Sequence, residues 1–260
     1  MSENKNRNIL ITNDDGIDSP GIYALTKAMK EIGNVIVVAP DRQQSAVGHA
    51  LTVHRPLRAT HFHRNGEIFG YAVNGTPADS VKLALSRLLN FKPDIIVSGI
   101  NNGKNTSVNV LYSGTVSAAT EGALVGIPSI AVSLDSYDLD ADFSAAADFA
   151  KDFSMKIMEI EIPKGTLLNV NVPAIPQDEI KGTIFAAQSK SFWKDMYEER
   201  KDPFGRTYYW FAGEYNIDEN ELDSDDMGLK NGYIVVTPLQ FNFTNSEFIQ
   251  TLFNKFSDKI

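Results

Sequence analysis

Residues 8–40 decide the fold: NILITNDDG (8–16), IDSPGIYALTKAMKEIGN (17–34) and VIVVAP (35–40). Asn8 to Thr12 is a short apolar run of β type that stops at the turn-rich Asn13-Asp14-Asp15-Gly16. Behind Pro20 and Gly21, the apolar residues Ile22, Leu25, Met29 and Ile32 recur at helical spacing, which predicts a helix over 22–32. Gly33-Asn34 ends it, and Val35 to Ala39 is unbroken apolar sequence, as a strand buried on both faces requires. Strand, helix and strand in this order make a parallel sheet with a crossover helix.

The same alternation continues outward from this unit. Strands are predicted at Phe69 to Val73, Pro93 to Ser98, Pro128 to Leu134 and Leu167 to Val172. Helices are predicted at Ser80 to Leu89, started by Thr76-Pro77-Ala78-Asp79, at Val116 to Val125 and at Ala141 to Ile160. Beyond about Pro176 the character changes. Phe185 to Trp210 is rich in aromatic and charged residues, and Glu214 to Asp226 reads as an acidic, solvated loop. A late strand at Tyr233 to Thr237 and a helix at Phe248 to Phe256 follow. The expected organisation is one α/β domain over 1–260, with a core of about 1–176 and a C-terminal extension or arm of about 177–260.

Composition narrows the function. The 260 residues are 43% hydrophobic, enough for one large core, and the net charge is -9. An acidic surface repels a polyphosphate backbone, which argues against nucleic-acid polymers as partners. There are no cysteines, so disulfides and thiolate metal sites are excluded. The polar start, Met1 to Arg7, carries no signal-peptide pattern, and no apolar run reaches the length needed to span a bilayer. A cytoplasmic protein without a membrane partner is expected.

In open parallel sheets, ligands bind beyond the carboxyl ends of the strands. The first strand is followed by Asn13, Asp14 and Asp15, the second by Asp41 to Ser45, and the third by Asn101, Asn102 and Gly103. These loops would gather Asp14, Asp15, Ser45 and Asn101 around one point. Carboxylate, hydroxyl and amide oxygens suit Mg, Mn or Ca. An Asp-Asp-Gly triplet on its own is more often a plain turn; the conjunction of three strand ends carries the inference. Ser113-Gly114-Thr115 opens a small-residue helix whose N-terminus can receive an anion, or simply be capped. Gly103-Lys104-Asn105 is not a P-loop, because the spacing is short and Asn105 stands where Ser or Thr would hold magnesium. Neither G-x-G-x-x-G nor G-x-S-x-G occurs. His61 and His63 share one face of a strand and read as exposed, and His49 adjoins the loop after the second strand.

The segments ILITNDDGIDSPGI, VVAPDRQQSAVGHALTVHRPL, VNGTPADSVKLAL, PDIIVSGINNGKN and LYSGTVSAATEGALVGIPSIAVS resemble, in order, the SurE survival-protein family of 5'-nucleotidases. The likeness resumes at LLNVNVP and at FWKDMYEERKDPFGRTYYW. It implies a Rossmann-like three-layer α/β sandwich with a C-terminal arm exchanged in a homodimer or homotetramer. It also implies hydrolysis of nucleoside 5'-monophosphates, with 3'-monophosphates and short polyphosphate as further substrates, and one divalent cation per subunit, Mg or Mn. Carried over, the metal ligands fall on Asp14, Asp15, Ser45 and Asn101, and the phosphate-facing loop on Ser113, Gly114 and Thr115. Asn109 departs from the family's frequent Asp. Asp14 and Asp15 are the expected catalytic pair, with Asn13, Asn101 and Asn102 orienting the phosphate. The pattern leaves open whether water or an aspartate attacks. It also leaves open a non-catalytic, metal-dependent nucleotide or phosphate sensor built on the same loops.

Overall fold

The first apolar run becomes β1 (Asn8–Thr12), an inner strand of a nine-stranded sheet in the computed structural model, which describes residues 7–138 and 140–256. The polar segment read as lacking a signal peptide lies, apart from Arg7, outside the described residues, as does the end of the C-terminal extension at 257–260. Side chains alternate across a strand. Ile9 and Ile11 therefore pack on one layer with Ile22, Leu25 and Met29 of α1 (Pro20–Met29) and Ala146 and Phe153 of α4 (Ser144–Ile157). Leu10 packs on the other, with Val81 of α2 (Pro77–Leu83) and Ala118 of α3 (Gly114–Leu124). Helices on both faces of the sheet make a three-layer α/β sandwich.

The remaining strands are β2 (Asn34–Pro40), β3 (Ala59–Arg64), β4 (Glu67–Val73), β5 (Ile95–Asn102), β6 (Ser129–Asp135) and β7 (Thr166–Pro173). Further along come β8 (Thr183–Phe185), β9 (Phe192–Lys201), β10 (Thr207–Asn216) and β11 (Ile234–Gln240), with the helices α5 (Asp225–Lys230) and α6 (Ser246–Phe256). The sheet order is β3-β4-β2-β1-β5-β6-β7-β11-β8. The span from β4 to β7 is parallel throughout, while β3 and β11 are antiparallel to their inner neighbours.

Local chemistry sets the element ends. Ser19 caps α1 with Pro20 in its first turn, so this helix starts before the expected Ile22. Thr76 and Asp79 form a reciprocal capping box on α2. The predicted helix over 80–89 is shorter, because the chain widens into one π turn at Ala84–Leu88, where Leu89 N–H reaches Ala84 O at 3.0 Å. β5 outlasts its predicted end at Ser98. Its register against β6 slips between Ser98 and Asn101 and resumes with Asn101 opposite Ser133, so Asn101 and Asn102 sit on a strand rather than in a loop.

The C-terminal third divides in two. β8, α5 and β11 join the main sheet, whereas β9 and β10 pair only with each other as a hairpin whose first strand is exposed along its whole length. The expectation of a solvated acidic loop over 214–226 fails at both ends. Glu214 to Asn216 belong to β10, and Asp225 and Asp226 are fully buried at the start of α5. Those carboxylates are buried because hydroxyl and backbone donors distant in sequence satisfy them.

Candidate active site

The strand order reverses at β1: β2 and β4 extend the sheet to one side, β5 to β7 to the other. The chain leaving β1 enters α1 on one face, and the chain leaving β5 enters α3 on the opposite face. A crevice opens between them at the carboxyl ends of the strands. A cleft of about 240 Å³ lies there, lined by Asp14, Ser45, Asn101, Asn102 and Ser113. A larger hollow of about 690 Å³, walled by Leu85, Leu89, Val125 and Ile127, lies at the amino ends of the strands and has no carboxylate or hydroxyl side chain. Chemistry, rather than volume, selects the smaller one.

Asp14 is only 5% exposed. Its backbone carbonyl accepts from Gln44 N–H at 2.7 Å, which ties the loop after β1 to the loop after β2. The Thr115 hydroxyl donates to its Oδ1. Gly114 is required beside it: a Cβ there would lie 2.7 Å from Asp14 Cβ and 2.9 Å from Oδ2. Burial first, and the neighbouring charge of Asp15 second, push the Asp14 carboxyl up from 3.8 to about 6 against the Thr115 hydrogen bond. Asp15 is raised too, by burial, although its oxygens accept from Asn102 N–H at 3.0 Å and from the Gln43 amide at 3.4 Å.

The other expected residues divide. Asn101 donates its amide to Gly103 O at 2.5 Å, which leaves its oxygen for a ligand, and Ser45 stands exposed at the lip. Asn102 donates to Asp138 O at 2.9 Å, and its buried Oδ1 has no partner among the described residues. Ser113 caps α3 by accepting from Val116 N–H at 3.1 Å, so the positive end of this helix faces the cleft. Of the expected residues, Asn13, Asp15, Gly114 and Thr115 are not among those that line the cleft. Asn13 turns to the start of α1, donating to Gly16 O at 2.9 Å and Ser19 Oγ at 2.8 Å, and Thr115 is spent on Asp14. Through these contacts Asn13 holds the start of α1 and Thr115 holds Asp14.

The cleft residues that the sequence does not assign to the site include Lys104, Tyr112, Tyr137 and Trp193. Asn109, where the family resemblance leads one to expect Asp, accepts the Trp193 indole N–H at 2.7 Å. That contact comes from the hairpin, 84 residues away, and no spacing rule announces it. His49 lies off the cleft and contacts the buried Glu121 at 2.7 Å, while His61 and His63 are exposed, His61 resting on the Tyr71 ring.

The donor set fits a hard divalent cation. No group of three or more His, Cys, Asp or Glu side chains able to hold an ion occurs among the described residues. An ion here therefore needs the amide and hydroxyl oxygens of Asn101 and Ser45 beside the two carboxylates, a set suited to Mg or Mn. The raised Asp14 pKa has the same sense, since two adjacent buried carboxylates without a cation favour the protonated form.

Fold and site together define a Rossmann-like α/β protein with an oxygen-lined cleft at its switch point. The model of the family described as survival protein SurE matches residues 9–195, and the chain belongs to the SurE family. A protein named 5'-nucleotidase SurE from Chlorobium chlorochromatii is 48% identical over 237 residues, covering 91% of this chain and 87% of its own. One of the same name from Flavobacterium psychrophilum is 45% identical over 248 residues, covering 95% and 96%. The crystal structure of the SurE protein from Aquifex aeolicus superposes with a TM-score of 0.82 at 40% identity, covering 95% of this chain and 99% of that one.

Proposed function

We propose that this chain is a divalent-metal-dependent phosphatase that hydrolyses nucleoside 5'-monophosphates, and that 3'-monophosphates and short polyphosphate are further substrates. The convergence of Asp14, Ser45, Asn101, Asn102 and Ser113 on one cleft carries this reading, and the relatives named 5'-nucleotidase SurE support it. Asp14, Asp15, Ser45 and Asn101 would hold one Mg or Mn ion per subunit. Such an ion supplies neutralisation of the phosphate oxygens and of the charge that develops at phosphorus.

The chain's own groups do the rest. The N-terminus of α3, capped by Ser113, directs free backbone N–H groups and the helix dipole toward the phosphate. Asn101 and Asn102 fix its orientation through amide groups held by Gly103 O and Asp138 O. Thr115 sets the direction and ionisation of Asp14. Without a cation, burial raises the Asp14 carboxyl to about 6, so an ion at the site would compete with this proton and hold Asp14 ionised.

The protein acts, in this reading, as a homodimer or homotetramer joined through the C-terminal arm. α6 buries none of its residues within the subunit and exposes Phe248, Leu252 and Phe253, and the hairpin exposes Tyr197, Tyr209 and Trp210. No described helix is long and apolar enough to cross a membrane, and the acidic, cysteine-free composition suits the cytoplasm.

The test is phosphate release from a panel of nucleoside 5'- and 3'-monophosphates and short polyphosphate, with chelated protein and with Mg or Mn restored. Metal-dependent release that is lost in Asp14→Ala is expected. No release from any member, with metal-dependent nucleotide binding retained, would replace the phosphatase by a sensor.

A further inference from the structure

Lys104 is the one Lys or Arg among the described residues that line the cleft. Its side chain is 15% exposed, and its Nζ lies 3.0 Å from Asp226 Oδ1 and 4.9 Å from the centre of the Tyr215 ring. Asp226 is fully buried and also accepts from Thr106 Oγ1 at 2.7 Å, Ser189 Oγ at 2.6 Å and Tyr215 OH at 2.7 Å. Burial pushes the Asp226 carboxyl up, but these donors and the ammonium outweigh it and bring it down to about 2, so the carboxylate is ionised. Its two oxygens receive four donors, which fills their capacity.

The pair is therefore oriented, with the carboxylate inside the protein and the ammonium at the cleft wall. Asp226 uses one of the three N–H bonds of Lys104, and no other hydrogen bond from Nζ occurs among the described residues. Stability does not account for the arrangement, because a buried ion pair is commonly no more stabilising than apolar residues of the same volume. The chemistry of the cleft does. Asp14 and Asp15 repel a phosphate dianion, and a fixed ammonium beside them offsets that repulsion on the substrate side.

Resting on the phosphatase reading, the geometry points to Lys104 as a substrate-anchoring residue that donates to an anionic oxygen of the bound phosphate ester, with Asp226 as the positioning residue that aims it. Tyr215 belongs to the hairpin, so the root of the hairpin is part of this anchor.

The experiment compares wild type, Lys104→Met and Lys104→Arg in KM and kcat for a nucleoside monophosphate with Mn. It also compares calorimetric binding of inorganic phosphate to the Mn-loaded proteins. A charge-assisted hydrogen bond predicts a rise in KM and a loss of phosphate affinity of about tenfold to a hundredfold in Lys104→Met, with kcat changed by less than about threefold. Lys104→Arg recovers part of both, and the KM of wild type climbs more steeply with salt than that of Lys104→Met. A folded Lys104→Met with wild-type KM and phosphate affinity, or with a loss in kcat alone, overturns the assignment. Should that variant not fold, Lys104→Met/Asp226→Asn, which leaves no buried carboxylate unpaired, takes its place. Phosphate binding is read without turnover, so an inactive wild type would refute the phosphatase reading while the anchor was still judged.

Discussion

The Asp14→Asn substitution should stabilise the metal-free protein at neutral pH while abolishing its activity. The carboxyl of Asp14 rises from 3.8 to about 6 in the fold, chiefly through burial. The folded state thus holds this proton more tightly than the unfolded chain. The associated stability is complete below pH 3.8 and is lost as pH rises through 6. At about 1.4 kcal/mol per pH unit, ionised Asp14 costs the neutral-pH, metal-free fold about 3 kcal/mol, of which about 2 kcal/mol develops between pH 4.5 and 7.5. Asparagine keeps the shape, can accept from Thr115 and does not titrate. Urea unfolding of both proteins in chelator should show the variant more stable by about 3 kcal/mol at pH 7.5 and by about 1 kcal/mol at pH 4.5. Restoring Mn to a hundred times its dissociation constant should return about 2.7 kcal/mol to wild type and little to the variant. A variant no more stable than wild type at pH 7.5, or a gap that ignores pH, would refute the claim that burial strains this carboxylate.

Two further outcomes follow from packing. Gly114→Ala places a methyl group 2.7 Å from Asp14 Cβ, so the carboxylate must shift; turnover should fall about a hundredfold while unfolding loses only about 1–3 kcal/mol. Full turnover in that variant would show that Asp14 is not held where the reaction needs it. Deleting α6 by ending the chain at Asn245 should lower the particle mass in light scattering, since this helix buries nothing in its own subunit. An unchanged mass would move the contact to the hairpin.

The β1-α1-β2 unit was legible because its signals are local: a continuous apolar run, helical spacing, and turn residues between them. The convergence of Asp14, Ser45 and Asn101 was legible for a topological reason, since every parallel strand ends at the same edge. Side-chain direction was not. Asn13 and Asn102 have the same chemistry near the site, yet one turns to the cap of α1 and the other lines the cleft. Thr115 points at Asp14 because the first turn of α3 places it there, which spacing alone does not reveal. Asp225 and Asp226 look like solvated residues in an acidic run, and they are buried because donors 36 to 120 residues away converge on them. Long-range polar satisfaction leaves no periodic trace in sequence.

Residues 101–109 join the cleft to the arm, and their backbone shows what that costs. Asn101 and Asn102 face the cleft, Lys104 reaches back to Asp226, and Asn109 receives Trp193. Between them Ser107 has φ 51, a left-handed conformation that a non-glycine residue avoids unless its surroundings impose it. Here they do. Its N–H donates to Asp225 Oδ2 at 3.0 Å, its carbonyl accepts from the Gln188 amide at 2.7 Å, and its hydroxyl bonds to the carbonyls of Ser189 and Ser191, directly before β9. A strained residue saturated with contacts to the root of the hairpin is a rigid joint, not a hinge. Whatever fixes the hairpin from outside, a second subunit in the reading favoured above, therefore also fixes Trp193 and Lys104 at the cleft wall. Loss of the assembly should then weaken substrate binding before it disturbs Asp14, whose supports, Thr115 and Gly114, belong wholly to the sandwich.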